Sequence, residues 1–559
     1  LLSIALGAVI TLSNLGFNSE AAVRAPKSVL NGMVASDHYL ASKAGTDILK
    51  MGGNAVDAAV ATSLVLSVVR NQSTGIGGGG FMVLHTTKGE NIVIDYREVA
   101  PQKAFRDMYL DKNKKPIPRL STVGYKAVAV PGNLAGLDYV LKKYGTMKLK
   151  ALSKAAINYA ENGFAVDKHF VSASKSVNEK GSTEELKSIF FEKGKPRTLG
   201  SIQKNSQLAR SLRLISDKGI GEFYKGSIAK KIVAAMQKNG GLITMADLAN
   251  YKPKIRKPLT GSYRGYGIIT MPPPSSGGTA LLEILNIMEP YNLGWNSTGF
   301  GSSKHVHLLT EAMKHAFADR AEFLGDPDFV KVPVDMLIAK NYAEKLQAKI
   351  DENKTLEQNA YGSKGLGDDH GTTHYSVIDK KGNIVSATET VNTYFGSQVV
   401  IPGTGILMND EMDDFSMQPG VPNAFGLIGN ENNAIKAGKK PLSSMTPTIV
   451  LKNNKPFMVV GASGGPRIIT GTLHAIMNVI DFGMNVEEAV SAPRFHHQWS
   501  PNKIFIEKEM PLDVRENLER KGHVLTMGEA ENAVQAIVIK DGEITGASDP
   551  RKGGFPEGY

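Results

Sequence analysis

One threonine in this chain stands where a cut would make it a nucleophile that carries its own base. Thr372 follows Gly371, at the end of the polar run formed by residues 363–371. If the bond between them is cleaved, Thr372 gains a free α-amine, with a pKa of roughly 8, beside its own hydroxyl. That amine can take the hydroxyl proton, directly or through water. An uncut chain has a plainer interpretation, in which Thr372 is a β-branched residue where a strand begins.

The residues around Thr372 predict a β-hairpin. Residues 373–379 and 384–392 have the composition of strands, and residues 380–383 have that of a turn. This turn sets Thr372 opposite Val391, with Thr390 and Asn392 one residue away. Simple alternation places those two side chains on the other face, so they reach Thr372 only through a bulge or a register shift.

Six segments in chain order resemble signatures of the γ-glutamyltranspeptidase family, and its bacterial, periplasmic branch is the most similar. They are residues 75–82 (GIGGGGFM), 95–101 (DYREVAP), 272–278 (PPPSSGG), 372–376 (TTHYS), 441–447 (PLSSMTP) and 461–467 (GASGGPR). The resemblance extends from about Asn31 to Gly554. It implies an N-terminal-nucleophile hydrolase, a four-layer α/β/β/α sandwich formed jointly by two subunits that arise when one precursor cuts itself.

The resemblance assigns the residues of the reaction. Thr372 is the nucleophile and its α-amine the general base, and Thr390 hydrogen-bonds the nucleophile. The backbone amides of Gly464 and Gly465 form the oxyanion hole, where glycine lets the backbone approach the reacting carbonyl closely. Without the resemblance, Thr390 would be interpreted as an ordinary polar residue of a strand, and Gly464 and Gly465 as part of a tight turn.

A γ-glutamyl amide carries an α-ammonium and an α-carboxylate, so a selective site needs groups of both signs. Arginine suits the carboxylate because its fork makes two parallel hydrogen bonds. By resemblance the amino end is held by Glu411, Asp414 and Asn392, and the carboxylate by Arg97, Ser443 and Ser444. Without the family, the acidic pair belongs to an acid-rich loop of a kind that is usually solvated.

A lid is the last feature that the resemblance implies. Residues 423–433 resemble the loop that covers the site in bacterial members, and Phe425 stands where an aromatic gate, commonly Tyr, is found. A phenylalanine at this position can still shield the site, but it lacks the hydroxyl group of tyrosine. Arg467 and Arg494 have no role that the sequence supplies.

Three regions are expected along the chain. Residues 1–25 are a truncated signal peptide and N-terminal tail, because residues 1–12 are an apolar run of h-region length that is too short to span a bilayer. An N-terminal core helix is the alternative. Residues 26–371 form the large subunit and residues 372–559 the small, catalytic subunit. We therefore expect a periplasmic or secreted protein without a membrane span.

The predicted elements suggest that the two halves share their sheets. Residues 41–69 predict two helices broken at 52–54, and residues 81–85 and 92–95 predict strands. Residues 134–348 are mainly helical. Beyond Thr372 we expect strands at 448–451, 457–460 and 535–539, with helices at 469–482 and 512–521. Strands on both sides of one helical block favour an α/β/β/α body over separate domains.

Composition excludes some classes of protein. The chain has 559 residues, no cysteine, and a net charge of +11 that is spread without a dense basic block. We therefore expect neither disulfides nor a nucleic-acid partner. The run from Gly75 to Gly80 lacks the Gly-Lys-Ser/Thr ending of a phosphate loop and precedes a strand, which favours close backbone packing.

A second competing pattern is a metal site. His307, Glu311 and His315 share one face of a predicted helix, as metal ligands could. The spacing is not that of zinc proteases, and we favour a packed or solvated polar face. We expect no cofactor and no metal.

The sequence thus predicts an enzyme that cleaves γ-glutamyl amides such as glutathione and glutamine. The γ-glutamyl group would form an acyl-enzyme on Thr372 and pass to water or to an acceptor amino acid or peptide. The subunits form a heterodimer, and a dimer of heterodimers is left open. One alternative is a β-lactam side-chain (glutaryl) acylase of the same fold. The other is a non-enzymatic binding protein, which needs no free Thr372 amine.

Overall fold

The computed structural model describes residues 24–358, 371–528 and 532–559. The predicted signal segment lies outside the described residues, apart from Arg24 and Ala25, and so does the polar linker apart from Gly371.

The N-terminal part folds as the predicted helix pair and strands, with two further strands before them. Its elements are β1 (Lys27–Val29), β2 (Met33–Ser36), α1 (Tyr39–Lys50), α2 (Ala55–Val69), β3 (Gly79–His85) and β4 (Asn91–Asp95). Helix α2 begins at a capping box, in which Asn54 and Asp57 each accept a backbone hydrogen bond from the other. Every residue of α2 is buried, which explains why its sequence has no polar face.

The central part is mainly helical, as predicted, but it also contains strands. Its elements are α3 (Asn133–Tyr144), α4 (Leu149–Leu152), α5 (Lys154–Asn162), β5 (Phe164–Ala165), α6 (Lys168–Glu179), α7 (Glu184–Phe190), β6 (Ile202–Gln203), α8 (Ser206–Lys218), α9 (Gly221–Tyr224), α10 (Ser227–Lys238), α11 (Met245–Asn250), β7 (Lys254–Arg256), β8 (Leu259–Tyr263), β9 (Tyr266–Thr270), α12 (Gly277–Met288), α13 (Ser303–Phe323), α14 (Val334–Leu337) and α15 (Lys340–Gln347).

Strands β8 and β9 form a hairpin that the sequence prediction missed. Tyr263 pairs with Tyr266, so Arg264 and Gly265 alone make the turn, and both have positive φ. A two-residue hairpin turn of type I′ requires positive φ at both positions, and Gly at the second position was the available signal.

The C-terminal part is rich in strands, as predicted. Its elements are β10 (Thr373–Ile378), β11 (Ile384–Thr390), β12 (Val400–Ile401), β13 (Ile406–Leu407), β14 (Thr448–Lys452), β15 (Lys455–Ser463), α16 (Arg467–Ile480), α17 (Val486–Ser491), β16 (Phe495–His496), β17 (Ile504–Glu507), α18 (Leu512–Arg520), β18 (Leu525–Gly528), β19 (Ala533–Lys540), β20 (Glu543–Ser548) and β21 (Glu557–Gly558).

Two seven-stranded sheets built from the described residues pack face to face. One has the order β21-β2-β10-β11-β3-β4-β7 and the other β1-β20-β19-β15-β14-β9-β8, so both contain strands from before and after Thr372. Strands β10 and β11 contact β15, while α1 and α2 cover the outer face of the first sheet and α12, α16 and α17 that of the second. This α/β/β/α arrangement confirms the predicted fold.

The turn of the β10–β11 hairpin is one residue longer than predicted. Ile378 pairs with Ile384, so Asp379 belongs to the turn and not to the strand. Its carboxylate accepts hydrogen bonds from the N–H groups of Lys381 and Asn383, as Asp side chains do in turns.

The longer turn shifts the register by one residue. Pairing ends with Thr373 opposite Glu389, and one step further Thr372 comes beside Thr390. The predicted pairing of Thr372 with Val391 was therefore wrong, and Thr390 reaches Thr372 without a bulge.

None of the helices among the described residues is both long and apolar enough to cross a membrane.

Candidate functional site

Thr372 is buried at the start of β10, beside the end of β11. Its Oγ1 lies 3.1 Å from Oγ1 of Thr390. The Thr390 oxygen accepts a hydrogen bond of 2.8 Å from the N–H of Asn392. That bond holds the Thr390 hydroxyl in place and leaves its proton free to point at the Thr372 oxygen.

The backbone takes an unusual path at Gly371 and is strained at Thr372. Gly371 has φ +123°, and Thr372 has φ +76°, which is rare for a β-branched residue. A Cβ on Gly371 would lie 1.8 Å from the carbonyl oxygen of Asn392, so only glycine fits. Strain of about 1–3 kcal/mol per residue persists only where the surroundings enforce it, commonly at functional sites.

Arg97 follows β4 and is ion-paired with both Glu411 and Asp414. These acids lie in a short 3₁₀ turn, Glu411–Asp414, which is mostly buried rather than solvated. The Arg97 Nε donates a 3.3 Å hydrogen bond to the carbonyl of Pro441. The structure thus brings together the predicted carboxylate-binding and ammonium-binding residues, but pairs them with each other.

Burial shifts the pKa values of Glu411 and of the neighbouring Glu98. It raises the pKa of Glu411 well above its usual range, although Arg97 opposes the effect. Burial also raises the pKa of Glu98 to about 7. It acts to lower the pKa of Arg97, but Glu411 and Asp414 outweigh it and keep that pKa raised. A ligand with a carboxylate and an ammonium could therefore replace these internal ion pairs: its carboxylate would pair with Arg97, and its ammonium with Glu411 and Asp414.

The serine pair is held by the central 272–278 segment. The N–H of Ser443 donates to the carbonyl of Pro274, and the N–H and hydroxyl of Ser276 donate to the carbonyl of Ser443. A Cβ on Gly277 would lie 2.1 Å from Oγ1 of Thr446. This predicted signature thus supports the loop that presents Ser443 and Ser444.

Gly464 and Gly465 link β15 to α16. Their φ values are +119° and +45°. Within the described part of the chain, neither amide N–H has a hydrogen-bond acceptor. Gly465 lines the same cavity as Thr372, and Gly464 directly precedes it. Free amides at this position, just before a helix N-terminus, can stabilise a developing oxyanion.

The segment predicted as a lid is anchored over the acidic turn. The N–H of Ala424 donates a 2.7 Å hydrogen bond to Asp413, and Asn423 Nδ2 lies 3.2 Å from Asp414 Oδ1. Gln498 Nε2 donates to the carbonyl of Phe425, at 3.2 Å.

Every predicted site residue except Gly464 lines one cavity. Its walls are Arg97, Thr372, Thr390, Asn392, Glu411, Asp414, Phe425, Leu427, Leu442, Ser443, Ser444, Met445, Gly465 and Ile468. The sequence analysis missed its apolar members, which no charge or motif distinguishes. The cavity has a volume of about 20 Å³, so a ligand larger than water enters only if side chains move.

The glycine run from Gly75 to Gly80 packs directly against this site, as predicted. A Cβ on Gly78 would lie 2.0 Å from the carbonyl oxygen of Thr390, and one on Gly77 would lie 2.1 Å from that of Leu407. Glycine is needed here for close backbone approach.

Lys552 is a site residue that the sequence analysis missed. Its Nζ donates hydrogen bonds to the carbonyl of Thr372 and, at 2.8 Å, to Oγ of Ser463. Asp37 balances its charge at 3.2 Å. Lys552 follows Thr372 by 180 residues (552 − 372) in a polar C-terminal segment, so no local pattern marks it.

The two unassigned arginines have structural contacts. Arg494 is ion-paired with Asp549 and donates a 2.8 Å hydrogen bond to the side chain of Asn532. The Arg467 guanidinium lies 4.8 Å from the ring centre of Phe505.

The three residues that the sequence analysis weighed as a competing metal site do not form one cluster of ligand atoms among the described residues. His307 and Glu311 lie close to His523 rather than to His315, with one possible ligand atom each within 4.8 Å of the others. The Glu311 carboxylate is ion-paired with Lys314 at 2.7 Å, and this internal cation balances its charge. That these residues form a packed or solvated polar face rather than a metal site stays a prediction.

A family model described as gamma-glutamyltranspeptidase matches residues 41–559. The chain is 46% identical over 542 residues to a glutathione hydrolase proenzyme of Escherichia coli K12, covering 96% of this chain and 93% of that protein.

Solved structures show the same fold. A cephalosporin acylase from Bacillus halodurans matches with a TM-score of 0.87 at 30% identity, covering 98% of this chain and 99% of that one. A gamma-glutamyltranspeptidase from Helicobacter pylori matches with a TM-score of 0.56 at 46% identity, covering 60% and 95%.

Proposed function

The chain belongs to the gamma-glutamyltranspeptidase family, and we propose that Thr372 both cuts the chain and carries the γ-glutamyl group. The protein is an enzyme, made as a precursor and processed into subunits, that hydrolyses and transfers γ-glutamyl groups. Its proposed substrates are glutathione, glutamine and related γ-glutamyl compounds. The acceptors are water and amino acids or peptides.

One observation carries the assignment of the site. The Thr372 hydroxyl lies beside that of Thr390 in the cavity where Arg97 meets Glu411 and Asp414. A nucleophile is thereby close to groups that match both charges of an α-amino acid.

In the proposed processing step, Thr372 Oγ1 attacks the carbonyl carbon of Gly371. The C–N bond breaks, the nitrogen takes a proton and becomes the α-amine of Thr372, and the acyl group is held as an ester. Water then hydrolyses the ester. This gives a large subunit ending at residue 371 and a small subunit of 188 residues (559 − 371).

In turnover, the freed amine takes the proton of the Thr372 hydroxyl while Oγ1 attacks the γ-glutamyl carbonyl. The amides of Gly464 and Gly465 stabilise the oxyanion, and Thr390 orients the nucleophile. Arg97, Ser443 and Ser444 bind the α-carboxylate. Glu411, Asp414 and Asn392 bind the α-ammonium, while Phe425 covers the cavity.

The buried acids argue against the glutaryl acylase alternative. A glutaryl group has no α-amine, so it would leave Glu411 and Asp414 without a cationic partner from the ligand. If Arg97 turns from these acids to bind the carboxylate of the ligand, the buried acids are left unpaired, which is costly. We therefore favour γ-glutamyl substrates over glutaryl ones.

We also propose that the two subunits remain one heterodimer and that the protein is exported to the periplasm or beyond. The heterodimer is supported by the two sheets, each of which contains strands from both sides of Thr372. Export is supported by the apolar run at residues 1–12.

Two simple assays test the proposal together. Purified protein should migrate as two chains smaller than the 60.1 kDa precursor and should release glutamate from glutathione. A single full-length chain with no glutamate released would contradict it.

Asp414→Ala should lower kcat/KM for a γ-glutamyl anilide by roughly 10- to 150-fold, because a charge-assisted contact is worth about 1.5–3 kcal/mol. The matching glutaryl anilide, which lacks the α-amine, should lose much less. Steady-state kinetics on both substrates provides the comparison. Equal losses would remove Asp414 from the ammonium site and indicate a folding defect.

Lys552→Met should reduce kcat by about 10-fold or more, because the ammonium that holds the Thr372 carbonyl is lost. KM should change little, since Lys552 does not line the cavity. Lys380→Met, at the exposed turn of the same hairpin, is the matched control and should retain normal kinetics. A rise in KM with unchanged kcat would contradict a positioning role for Lys552.

A further inference from the structure

Lys552 connects two parts of the proposed reaction centre without lining its cavity. Its Nζ donates hydrogen bonds to the carbonyl of Thr372 at 2.5 Å and to Oγ of Ser463 at 2.8 Å. Ser463 directly precedes the glycine pair proposed as the oxyanion hole. The ammonium of Lys552 therefore holds both the proposed nucleophile and the end of the strand that leads to its oxyanion hole.

Asp37 supplies the counter-charge of Lys552. One of its carboxylate oxygens lies 3.2 Å from Lys552 Nζ, and the other accepts a hydrogen bond of 2.5 Å from Gln535 Nε2. Both side chains of this ion pair are buried. Arg70 donates hydrogen bonds to the backbone carbonyls of Asp37 and Lys552. These contacts fix the pair in place beside Thr372.

The α-amine that the proposed cut creates would lie close to the Lys552 ammonium. Thr372 and Lys552 both follow the cut in sequence, so cleavage removes neither partner of their hydrogen bond. Bond lengths and angles keep the nitrogen of a residue within about 3.6 Å of its own carbonyl oxygen. The Thr372 amine is therefore at most about 6 Å from Lys552 Nζ.

A general base must be unprotonated before it can take a proton. An ordinary α-amine has a pKa of about 8, so only roughly a tenth of it is unprotonated at pH 7. A positive charge about 6 Å away in a partly buried site disfavours a second positive charge and lowers the pKa of such an amine by on the order of one to two units. A decrease of about one unit already raises the unprotonated fraction at pH 7 to about half.

The charged and titratable groups of the cavity are paired with one another. Arg97 is ion-paired with Glu411 and Asp414, and its guanidinium lies 3.9 Å from Glu98. Their charges therefore largely balance before a substrate binds. Burial raises the pKa of Glu98 to about 7, so this carboxyl can change its charge near neutral pH.

The groups on the other elements around Thr372 also contact neighbours other than Thr372. Burial lowers the pKa of the two histidines among them to about 3, so both are uncharged at neutral pH. Lys552, in contrast, contacts Thr372 directly. The groups are His38, Arg70, His374, Glu389, Asp410, Arg467 and Asp549.

We propose that the ion pair of Lys552 and Asp37 controls the charge of the Thr372 amine in the processed enzyme. The Lys552 ammonium keeps this amine unprotonated and so able to act as a base. Asp37 limits the effect by balancing Lys552, so that the amine remains basic enough to take a proton. This inference rests on the proposed function, in which the amine freed by the cut is the general base. Asp37 is then a positioning residue, which acts through Lys552.

Two variants should shift the pKa of the Thr372 amine in opposite directions. Asp37→Asn keeps the shape of the side chain and an acceptor for Gln535 but removes the negative charge, so this pKa should fall by about half a unit to one unit. Asp37→Asn combined with Lys552→Met removes both charges and leaves neither one buried without a partner. In this double variant the pKa should rise above that of the wild type by about half a unit to one unit.

Two measurements on the processed proteins determine this pKa. The first is the rate at which acetic anhydride modifies the Thr372 amine, followed by mass spectrometry as a function of pH. The second is the acidic limb of the pH dependence of kcat with a γ-glutamyl anilide. Labelling reports the amine alone, whereas the acidic limb of kcat can also contain the titration of Glu98.

Asp217→Asn is the matched control, because it removes the acid of an exposed ion pair with Lys150, away from the cavity. It should leave both measurements as in the wild type. Unchanged pKa values in both Asp37 variants, or shifts in the same direction, would overturn the inference. So would an Asp37→Asn protein that folds but is not cut, because the proposed effect begins only once the amine is free. A wild-type protein that is uncut, or cut but unable to hydrolyse the anilide, would instead overturn the proposed function.

Discussion

Thr372→Ala should yield a folded, full-length and inactive protein. The substitution removes the oxygen that attacks Gly371 and the oxygen that accepts the γ-glutamyl group, so both steps fail at once. Removing a catalytic nucleophile typically costs several orders of magnitude in rate. Intact mass should equal that of the uncut chain, and glutamate release from glutathione should fall to background.

Two further variants show which part of the threonine matters. Thr372→Ser keeps the hydroxyl but loses the methyl group that restricts χ1, so it should cut and turn over more slowly. Thr373→Ala should cut normally, because the Thr373 hydroxyl is buried and makes no hydrogen bond among the described residues. A small chain beginning at residue 372 in the Thr372→Ala protein would exclude self-processing. An uncut but active protein would place the nucleophile elsewhere.

The fold could be predicted largely because its signals are local. Helices α1 and α2 have apolar spacing and a glycine break, and the strands after Thr372 are β-branched runs. The strand register of the β10–β11 hairpin could not be predicted in this way, because one additional residue in the turn shifts it. Asp379 looks like the end of a strand in sequence, and only its hydrogen bonds to the turn amides place it in the turn.

In the candidate site, too, some features could be predicted from sequence and others depend on contacts between distant residues. Its polar residues were predicted from the resemblance to the family, and every predicted residue except Gly464 lines one cavity. Lys552 was not predicted, because it comes near Thr372 only through long-range packing. The ion pairs of Arg97 with the acids also had no sequence signal, because charges far apart in sequence reveal nothing about their distance in space.

Those ion pairs lead to the second large effect. Arg97→Met should lower kcat/KM for γ-glutamyl substrates by roughly 30- to 5,000-fold, since truncating one partner of a buried charge pair costs about 2–5 kcal/mol. Two losses combine. The substrate carboxylate has no partner, and the buried carboxylates of Glu411 and Asp414 lose the cation with which both are ion-paired.

Arg97→Lys separates charge from geometry. Lysine keeps the positive charge but cannot make the two-pronged contact, so KM should still rise, though less than in Arg97→Met. Arg213→Lys, at an exposed arginine that pairs with Glu161 away from the cavity and the lid, is the control and should leave KM unchanged. Steady-state kinetics and thermal unfolding should be measured on all three proteins. If Arg97→Lys binds substrate as tightly as the wild type, Arg97 does not hold the carboxylate, and its role is confined to balancing the buried acids.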